Sequence, residues 1–340
     1  MMHDRETSEA FDIVTIGSAT EDVMIQCDSA QVITLESANG ATCYMALEYG
    51  GKIHVDGMLI TVGGGAINTA ITCAMQGMKT AVLSKIGNDE PGERVKRRLQ
   101  EVGAYTGLMP HSERSGTGYS TIITTFTGER TVLVHRGASR ELCEADMPWK
   151  ALERAQWIYV GALAGDSWRL YPLIARFAEE HGIKLALNLG TSQVARGLDE
   201  YGDLLECVHI VFQNIEEMRL LTRVEARRGD RDEREICRLL HERGVDIVVI
   251  TDGARGAMAS DGRAFYTVPA FPVEAASTIG AGDAFAAGCI AALWHGRSIG
   301  EALRLGAANS ASVVSRPGAN AGILTWDEAL QFAASRSLRG

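Results

Sequence analysis

One stretch near the carboxyl end of the chain decides the fold: Ser277-Thr278-Ile279-Gly280-Ala281-Gly282-Asp283-Ala284-Phe285. Gly280 and Gly282 allow a turn whose backbone N–H groups point outward, because no Cβ stands in the way. The small and apolar residues that follow predict a helix, whose first turn offers unpaired N–H donors to an anion. Asp283 falls in that turn. An anion site beside a carboxylate suits phosphoryl transfer to a hydroxyl, although an Asp that only complements the helix dipole fits equally well.

The bulk properties of the chain indicate a globular protein and exclude several classes of function. Of its 340 residues, 46% are hydrophobic and 22% are charged, which is ordinary for a chain with a full core. The net charge of −10, without a Lys/Arg-rich run, argues against nucleic acid or an anionic membrane as the main partner. Seven scattered Cys without a C-x-x-C pair indicate reduced thiols in a cytoplasmic protein.

The N-terminal residues and the hydropathy of the chain agree with that location. Residues 1–10 are polar and acidic, so we expect a disordered tail and no signal peptide. No apolar run approaches the roughly 20 residues of a membrane span. We therefore expect no membrane association.

A buried strand opens the ordered part of the chain. Residues 11–17 form a short apolar run that ends in Gly, which is typical of a strand in a parallel sheet. Asp22 follows five residues after Gly17, where a loop should leave the carboxyl edge of the sheet, and open α/β folds bind ligands at that edge. Taken alone, Asp22 fits an ordinary turn residue better.

Two segments interrupt the α/β pattern and predict a small antiparallel sheet. Residues 27–60 contain strand-like runs and turn dipeptides but no helix, and residues 117–135 have the pattern of a hairpin around Thr127-Gly128-Glu129. The predicted strands are residues 31–35, 52–60, 117–125 and 130–135. Arg136, directly after the hairpin, suits a substrate anion and the solvent equally.

A second glycine-rich turn precedes a helix earlier in the chain. Gly63-Gly64-Gly65-Ala66-Ile67-Asn68-Thr69-Ala70 opens a helix that should continue to Gln76. Gly64 and Gly65 let a ligand approach the backbone closely, and Asn68 offers a donor and an acceptor to a pair of hydroxyls. A glycine hinge with a solvent-facing Asn has the same pattern. The presence of two such turns in one chain favours a ligand site.

The rest of the chain alternates between strands and helices, which predicts a parallel sheet covered by helices on both faces. The predicted strands are residues 80–86, 157–160, 184–188, 210–213 and 246–251, followed by a hairpin at 256–268. The predicted helices are residues 91–102, 168–181, 215–222, 231–243, 299–315 and 326–338.

Polar residues follow two of these strands. Asn214 and Glu217 stand three apart at the start of a helix, where they suit Mg²⁺ or its waters. The same spacing serves an N-cap with a capping-box Glu, which is the better local interpretation. Thr251, Gly253 and Gly256 form another glycine-bearing turn that can hold phosphate oxygens.

The two glycine-rich stretches together resemble a known family. Residues 63–70 resemble the first signature of the ribokinase-like (PfkB) carbohydrate and nucleoside kinases, and residues 277–285 resemble the second. The resemblance extends over residues 11–326. It implies a ribokinase-like three-layer αβα sandwich with a mostly parallel central sheet and a small antiparallel β lid. The main domain would comprise residues 11–26, 61–116 and 136–338, and the lid residues 27–60 and 117–135.

The resemblance also implies roles for individual residues. The acceptor site would contain Asp22, Gly64, Gly65, Asn68 and Arg136. The nucleotide site would contain Asn188, Asn214, Thr251, Gly253, Gly256 and Asn309, with Glu217 organising Mg²⁺ directly or through water. The anion hole would consist of Gly280, Ala281 and Gly282, with Asp283 as the catalytic base.

The chain departs from the family pattern in three places. Many relatives have Asp at the position of Ser277, where it helps to hold a monovalent cation, so the use of such a cation stays open. The stretch Leu187-Asn188-Leu189-Gly190 lacks the Arg of keto-deoxy-sugar-acid kinases, which weakens an acidic sugar as substrate. The segment between Asp22 and Gly64 is longer than in simple ribokinases and closer to adenosine kinases.

The sequence therefore predicts a cytoplasmic, ATP- and Mg²⁺-dependent kinase that phosphorylates a hydroxyl of a small sugar-type substrate. A nucleoside kinase of the same fold is the alternative, and the intact Asp283 disfavours a non-catalytic sugar or nucleotide sensor. A nicotinamide dehydrogenase would need Gly-x-Gly-x-x-Gly after the first strand, which residues 17–22 do not supply. The resemblance implies a lid that closes over the substrate and joins two copies as a homodimer.

Overall fold

The computed structural model of the protein describes residues 10–37, 40–125, 130–225 and 231–335. Residues 1–9 of the predicted tail, the predicted turn at residues 127–129 and residues 336–338 of the last predicted helix lie outside this part of the chain. The strands are β1 Phe11–Ile16, β2 Thr20–Gln26, β3 Gln31–Ser37, β4 Gly40–Ala46, β5 Gly57–Gly63, β6 Thr80–Leu83, β7 Ile86–Gly87, β8 His111–Ser112, β9 Gly118–Thr124, β10 Arg130–His135, β11 Ala155–Val160, β12 Lys184–Leu187, β13 Ile210–Asn214, β14 Ile247–Thr251, β15 Ala257–Ser260 and β16 Phe265–Val268.

The helices follow the strands in the predicted alternation. The α-helices are α1 Gly65–Met75, α2 Glu90–Glu101, α3 Trp149–Leu152, α4 Leu170–Glu180, α5 Thr191–Val194, α6 Ile215–Thr222, α7 Arg231–His241, α8 Ala281–Trp294, α9 Ile299–Val314 and α10 Trp326–Ser335. Short 3-10 helices cover Gly137–Arg140, Glu144–Asp146, Gly165–Arg169, Leu198–Glu200, Gly202–Cys207 and Gly253–Arg255. Within the described ranges, no helix is long and apolar enough to cross a membrane.

Eight strands form the central sheet in the order β16-β15-β14-β13-β12-β11-β1-β6. The strands from β14 to β6 are parallel, and β15 and β16 form an antiparallel hairpin at one edge. Because the parallel strands all end at the same edge, the loops that follow them are brought together there. This edge holds the polar residues that follow the strands in the sequence.

Two hydrophobic clusters lie on opposite faces of the central sheet. Successive side chains of a strand point to opposite faces of the sheet. In β11, Ile158 therefore packs in one cluster, with Ile174 of α4. Its neighbours Trp157 and Tyr159 pack in the other cluster, with Phe285 of α8. Each fully buried large apolar side chain contributes about 1.5–3 kcal/mol to folding. The predicted three-layer αβα sandwich is confirmed.

A second, four-stranded sheet has the order β10-β9-β2-β5, in which β2 and β9 are parallel and the other pairs antiparallel. The sequence predicts that residues 11–26 belong to the main body and that Asp22 lies in a loop. Instead, the chain enters this sheet at Thr20 and Asp22 pairs with Thr61 of β5 and Ser120 of β9. The sequence does not predict this strand because the first residues of β2 are polar, as in a turn. They are buried only because β5 and β9 lie on either side of β2.

The strands β3 and β4 form a separate two-stranded sheet. The sequence predicts one sheet for both inserted segments, but among the described residues β3 and β4 pair only with each other, and the hairpin β9–β10 meets β5 through β2. Strand β4 was not predicted, and β5 starts at Gly57, five residues later than expected. Several large apolar side chains are exposed on β3 and β4, namely Val32, Ile33, Leu35 and Tyr44.

Small residues bring α8 and α9 into close contact. A Cβ on Gly288 of α8 would lie 3.1 Å from Cα of Gly306 in α9. In turn, a Cβ on Gly306 would lie 2.7 Å from the carbonyl oxygen of Phe285. The two backbones can therefore approach only because both positions are glycine, and this packing fixes the start of α8 at the carboxyl edge of the sheet.

Candidate active site

The two glycine-rich turns meet at one carboxylate. Asn68 of α1 donates a hydrogen bond from Nδ2 to Oδ2 of Asp283 in α8 over 2.9 Å, although the residues are 215 positions apart. The backbone of Gly65 lies near the other oxygen, because a Cβ there would be 3.6 Å from Asp283 Oδ1. The first turns of two helices thus converge on Asp283, and their partial positive charges favour an anion there.

The glycines of the two turns serve different purposes. Gly64 has a φ of 97°, and a Cβ there would collide with the carbonyl of Ser18. Gly280 has a φ of 75°, and a Cβ there would collide with the carbonyl of Ala319. A Cβ on Gly282, in contrast, would have no heavy atom within 4 Å. The fold therefore requires Gly64 and Gly280, whereas Gly282 leaves open space in front of the helix.

The environment of Asp283 makes its carboxylate unusually basic. Burial is the largest cause and raises the pKa of Asp283 to about 6, while the hydrogen bond from Asn68 lowers the pKa and the charges of Asp22 and Glu217 raise it. A carboxylate with this pKa is ionised for the most part at neutral pH. It is also basic enough to accept a proton from a hydroxyl that attacks an electrophile.

Asp22 is held at the start of β2, in the second sheet. It is buried, and its Oδ1 accepts hydrogen bonds from Ser120 Oγ at 2.6 Å and Thr20 Oγ1 at 2.8 Å. Burial raises the pKa of Asp22, and the two hydroxyl donors lower it. A Cβ on Gly63 would collide with Oδ2, so the glycine makes room for the carboxylate. With Oδ1 occupied by the protein, Oδ2 is the oxygen suited to a ligand hydroxyl.

A cavity of about 320 Å³ opens beside the start of α8. Its lining includes Thr251, Gly253 and Gly256 as well as Ala281 and Gly282, so two of the predicted glycine-bearing turns share one cavity. The rest of its lining is mostly apolar and includes Phe271, Pro272, Val273, Phe285 and Val314. An apolar wall next to backbone N–H groups at a helix start suits a ligand with a flat ring at one end and phosphates at the other.

Asn214 and Glu217 form the capping box of α6. Asn214 Oδ1 accepts from the backbone N–H of Glu217 at 2.8 Å, and Glu217 Oε2 accepts from that of Asn214 at 3.4 Å. Of the two sequence-based interpretations, the N-cap is therefore confirmed. The described part of the chain has no group of three or more His, Cys, Asp or Glu that could hold a metal. Mg²⁺ fits here as an ion bound by one carboxylate, water and phosphate oxygens, which is its common mode.

The sequence that builds this site also matches a known protein family. Residues 30–326 match the model of the pfkB family carbohydrate kinases. The chain belongs to the pfkB family. It is therefore a kinase, a phosphotransferase of the carbohydrate and nucleoside kinase type.

Individual relatives of this pfkB-family chain agree with the assignment. It is 29% identical to the ribokinase of Haemophilus influenzae over 273 residues, which are 80% of this chain and 87% of the relative. It is 28% identical to the cytidine kinase of Thermococcus kodakarensis over 272 residues, 78% of this chain and 92% of the relative. The solved structure of Arabidopsis thaliana ribokinase complexed with ribose and ATP matches with a TM-score of 0.79 and 20% identity, covering 96% of this chain and 99% of that one, which shows the shared fold.

Asn309 does not reach the cavity of this pfkB-family site. The side chain is fully buried, Nδ2 donates to the carbonyl of Ala284 at 2.9 Å, and Oδ1 accepts from the N–H of Leu324 at 3.0 Å. Both polar ends are thus used to join α8 and α9 to the loop before α10. Ser310, the next residue of α9, lines the cavity, so the position of Asn309 beside an adenine ring stays a prediction.

Two other predicted residues make no hydrogen bond with Asp22 or Asp283 among the described contacts. Asn188 directly follows β12 and neighbours the Tyr159 hydroxyl, and it is not among the described residues that line the cavity. Arg136 is exposed, and the hydrogen bonds that the described residues make with Asp22 and Asp283 do not include it. The structure therefore brings together Asp22, Gly65, Asn68 and Asp283, and the roles of Asn188 and Arg136 stay predictions.

Three polar partners in the site were not predicted: Thr20, Ser120 and Asn320. Ser120 could have been noticed, because it interrupts the alternating hairpin pattern with a polar residue on the buried face of β9. Asn320 follows a Pro-Gly turn, and nothing in such a turn distinguishes a buried Asn from an exposed one.

Proposed function

We propose that this pfkB-family kinase uses ATP and Mg²⁺ to phosphorylate a hydroxyl of a small sugar-type substrate, with Asp283 as the general base. The observation that carries the proposal is the hydrogen bond from Asn68 to Asp283. It joins the acceptor side of the site to the helix start that faces the apolar cavity. The ribose named for the Arabidopsis relative and the ribokinase activity named for the Haemophilus relative are consistent with this substrate class.

In the proposed reaction, the acceptor hydroxyl lies between Asp22 and Asp283. Asp283 accepts the hydroxyl proton while the oxygen attacks the γ-phosphorus in line, the bond to the β-phosphate oxygen breaks, and ADP leaves with that electron pair. The N–H groups of Gly280, Ala281 and Gly282 stabilise the charge on the transferred group. Mg²⁺, when bound near Glu217 and Asn214, neutralises phosphate charge. Thr251, Gly253 and Gly256 hold the nucleotide phosphates.

We favour a sugar over a nucleoside because the side chains that hydrogen-bond to Asp22, Thr20 and Ser120, are both hydroxyls. In the long segment between Asp22 and Gly64, Tyr44 of β4 could stack on a base, but its side chain is 52% exposed. The test is ADP formation with a panel of free sugars, sugar phosphates, adenosine, inosine and cytidine. We expect turnover with at least one free sugar. Turnover of nucleosides alone would overturn the sugar assignment, and ATP binding without any acceptor turnover would overturn the enzymatic proposal.

Replacing Asp22 by Asn should weaken acceptor binding and leave the nucleotide unaffected. The amide oxygen still accepts from Ser120 and Thr20, so the fold is preserved, but the charged acceptor for a substrate hydroxyl is lost. We expect the acceptor KM to rise by about 10- to 100-fold, as for a lost hydrogen bond to a charged group. The ATP KM should stay the same. Asp28→Asn, an exposed change in the same segment, is the control, and an unchanged acceptor KM for Asp22→Asn would place the acceptor elsewhere.

We also propose that the protein is a homodimer through the strands of the small sheets. Large exposed apolar side chains on a two-stranded sheet support this, because such a sheet is only marginally stable without a covering partner. Light scattering should give twice the chain mass of 36.6 kDa. The double variant Leu35→Asp, Tyr44→Asp should give a monomer. A monomeric wild-type protein, or an unaltered dimer in the double variant, would contradict the proposed interface.

A further inference from the structure

Asn320 connects three parts of the site through one buried amide. It is 7% exposed, and its Nδ2 donates to the carbonyl of Val62 in β5 at 2.7 Å. The same Nδ2 faces Oδ1 of Asn68 at 3.4 Å. The preceding residue, Ala319, packs its carbonyl against Gly280. The loop after α9 therefore touches the second sheet, the acceptor side and the anion turn.

The chemistry of these contacts determines which way both amides face. A backbone carbonyl can only accept, so Val62 fixes the NH₂ group of Asn320 on the side that faces Asn68. Asn68 must then present its oxygen to Asn320, because two NH₂ groups would otherwise face each other. Its own NH₂ group is consequently left for Asp283, whose ionised carboxylate can only accept.

We propose that Asn320 is a positioning residue that fixes the amide of Asn68 and thereby the hydrogen bond that Asp283 receives. The inference rests on the proposed function for its kinetic consequence, but the positioning itself is a property of the protein without substrate. The carbonyl that anchors Asn320 belongs to β5. The placement of the small sheet is thus linked to the hydrogen bonding of the proposed base.

Loss of this restraint should change the proton affinity of Asp283. An Asn68 amide that is free to turn would present its oxygen to the carboxylate part of the time, which disfavours the ionised form. The other titratable groups that act on Asp283 are Asp22 of β2, Glu217 of α6 and Tyr159 of β11. Ionised Asp22 and Glu217 can only accept, and the Tyr159 hydroxyl neighbours Thr69 and Asn188. The donor lost from Asn68 is therefore not replaced, and the pKa of Asp283 should rise.

The decisive experiment is a double-mutant cycle with Asn320→Ala and Asn68→Ala in the full chain. The first readout is the carboxyl titration of Asp283 by carbon-13 NMR without substrate, assigned with Asp283→Asn. We expect Asn320→Ala to raise the pKa of Asp283 in the wild-type background and to have no effect on it in the Asn68→Ala background. The second readout is kcat. Asn320→Ala should lower kcat about tenfold in the wild-type background and less than about twofold in the Asn68→Ala background.

Controls separate positioning from a structural role. Gln193→Ala removes another buried amide that donates to a backbone carbonyl, that of Leu163 at 2.8 Å, and should lower the Tm without moving the Asp283 titration. If Asn320→Ala does not fold, Asn320→Leu, which is similar in size and adds no charge, should raise the pKa of Asp283 in the same way. An unchanged titration, or an equal effect of Asn320→Ala in both backgrounds, would overturn the inference. A wild-type protein that turns over no acceptor would instead overturn the proposed function, and the NMR cycle would still decide the role of Asn320.

Discussion

Asp283→Asn should lower kcat by at least about 100-fold and leave ATP binding intact. The amide oxygen of the variant can still accept the hydrogen bond from Asn68, so the two helix starts stay joined. The variant lacks the carboxylate that is proposed to take the acceptor proton. Coupled ADP detection gives kcat, and calorimetry gives the ATP Kd. A variant with wild-type kcat would remove Asp283 as the base.

The same substitution should stabilise the protein at neutral pH. The pKa of Asp283 in the folded protein is about 6 and the ordinary value is 3.8, so the folded state binds this proton more tightly than the unfolded state. The contribution of Asp283 to the free energy of unfolding therefore falls as the pH rises from about 4 to about 6. Above that range, the ionised carboxylate destabilises the folded state. Asn carries no charge, so the Tm of Asp283→Asn should exceed that of the wild type at pH 7.5 and approach it below pH 4. A lower Tm at pH 7.5 would contradict the raised pKa of Asp283 in the folded protein.

Gly282→Ala should abolish most activity without loss of stability. A Cβ at this position meets no protein atom within 4 Å, and it would project into the open space where the phosphates are proposed to bind. A displacement of about 1 Å in the reacting group can cost about 100-fold in rate, and we expect a loss of that order in kcat. Ala is also the better helix former, by about 0.5–1 kcal/mol, so the Tm should be equal or higher.

Gly300→Ala is the matched control for this substitution. Gly282 and Gly300 are each the second residue of their helix, in α8 and α9. The nearest heavy atom to a Cβ on Gly300 is 3.9 Å away, so an Ala fits there as well. Both variants should have similar Tm values, and only Gly282→Ala should lose activity. Full activity of Gly282→Ala would show that phosphate does not approach this backbone.

The layers of the fold and the positions of its glycine turns could be predicted because their signals are local. An apolar run such as Ile13-Val14 with a glycine after it predicts a buried strand from a few neighbouring residues. Gly64 and Gly280 could be identified in the same way, since each precedes a run of small and apolar residues. Asp283 followed from its place in the first turn of α8.

What could not be predicted depends on contacts between distant parts of the chain. The start of β2 is polar, and it becomes a buried strand only because β5 and β9 flank it. The hydrogen bond from Ser120 to Asp22 spans 98 residues, and the contact between Asn320 and Asn68 spans 252. The side chain of Asn309 also joins separate parts of the chain, because its hydrogen bonds to Ala284 and Leu324 span 25 and 15 residues.

The most direct test of the proposed chemistry is single-turnover transfer of labelled γ-phosphate from ATP to a free sugar between pH 5 and 8. In the wild type, we expect the transfer rate to fall as the pH drops through about 6, because protonated Asp283 cannot accept the hydroxyl proton. In Asp283→Asn, the rate should be low and independent of pH in this range. Equal rates with the same acid limb in both proteins, or label released only as inorganic phosphate, would contradict the assignment of Asp283 as the base of a sugar kinase.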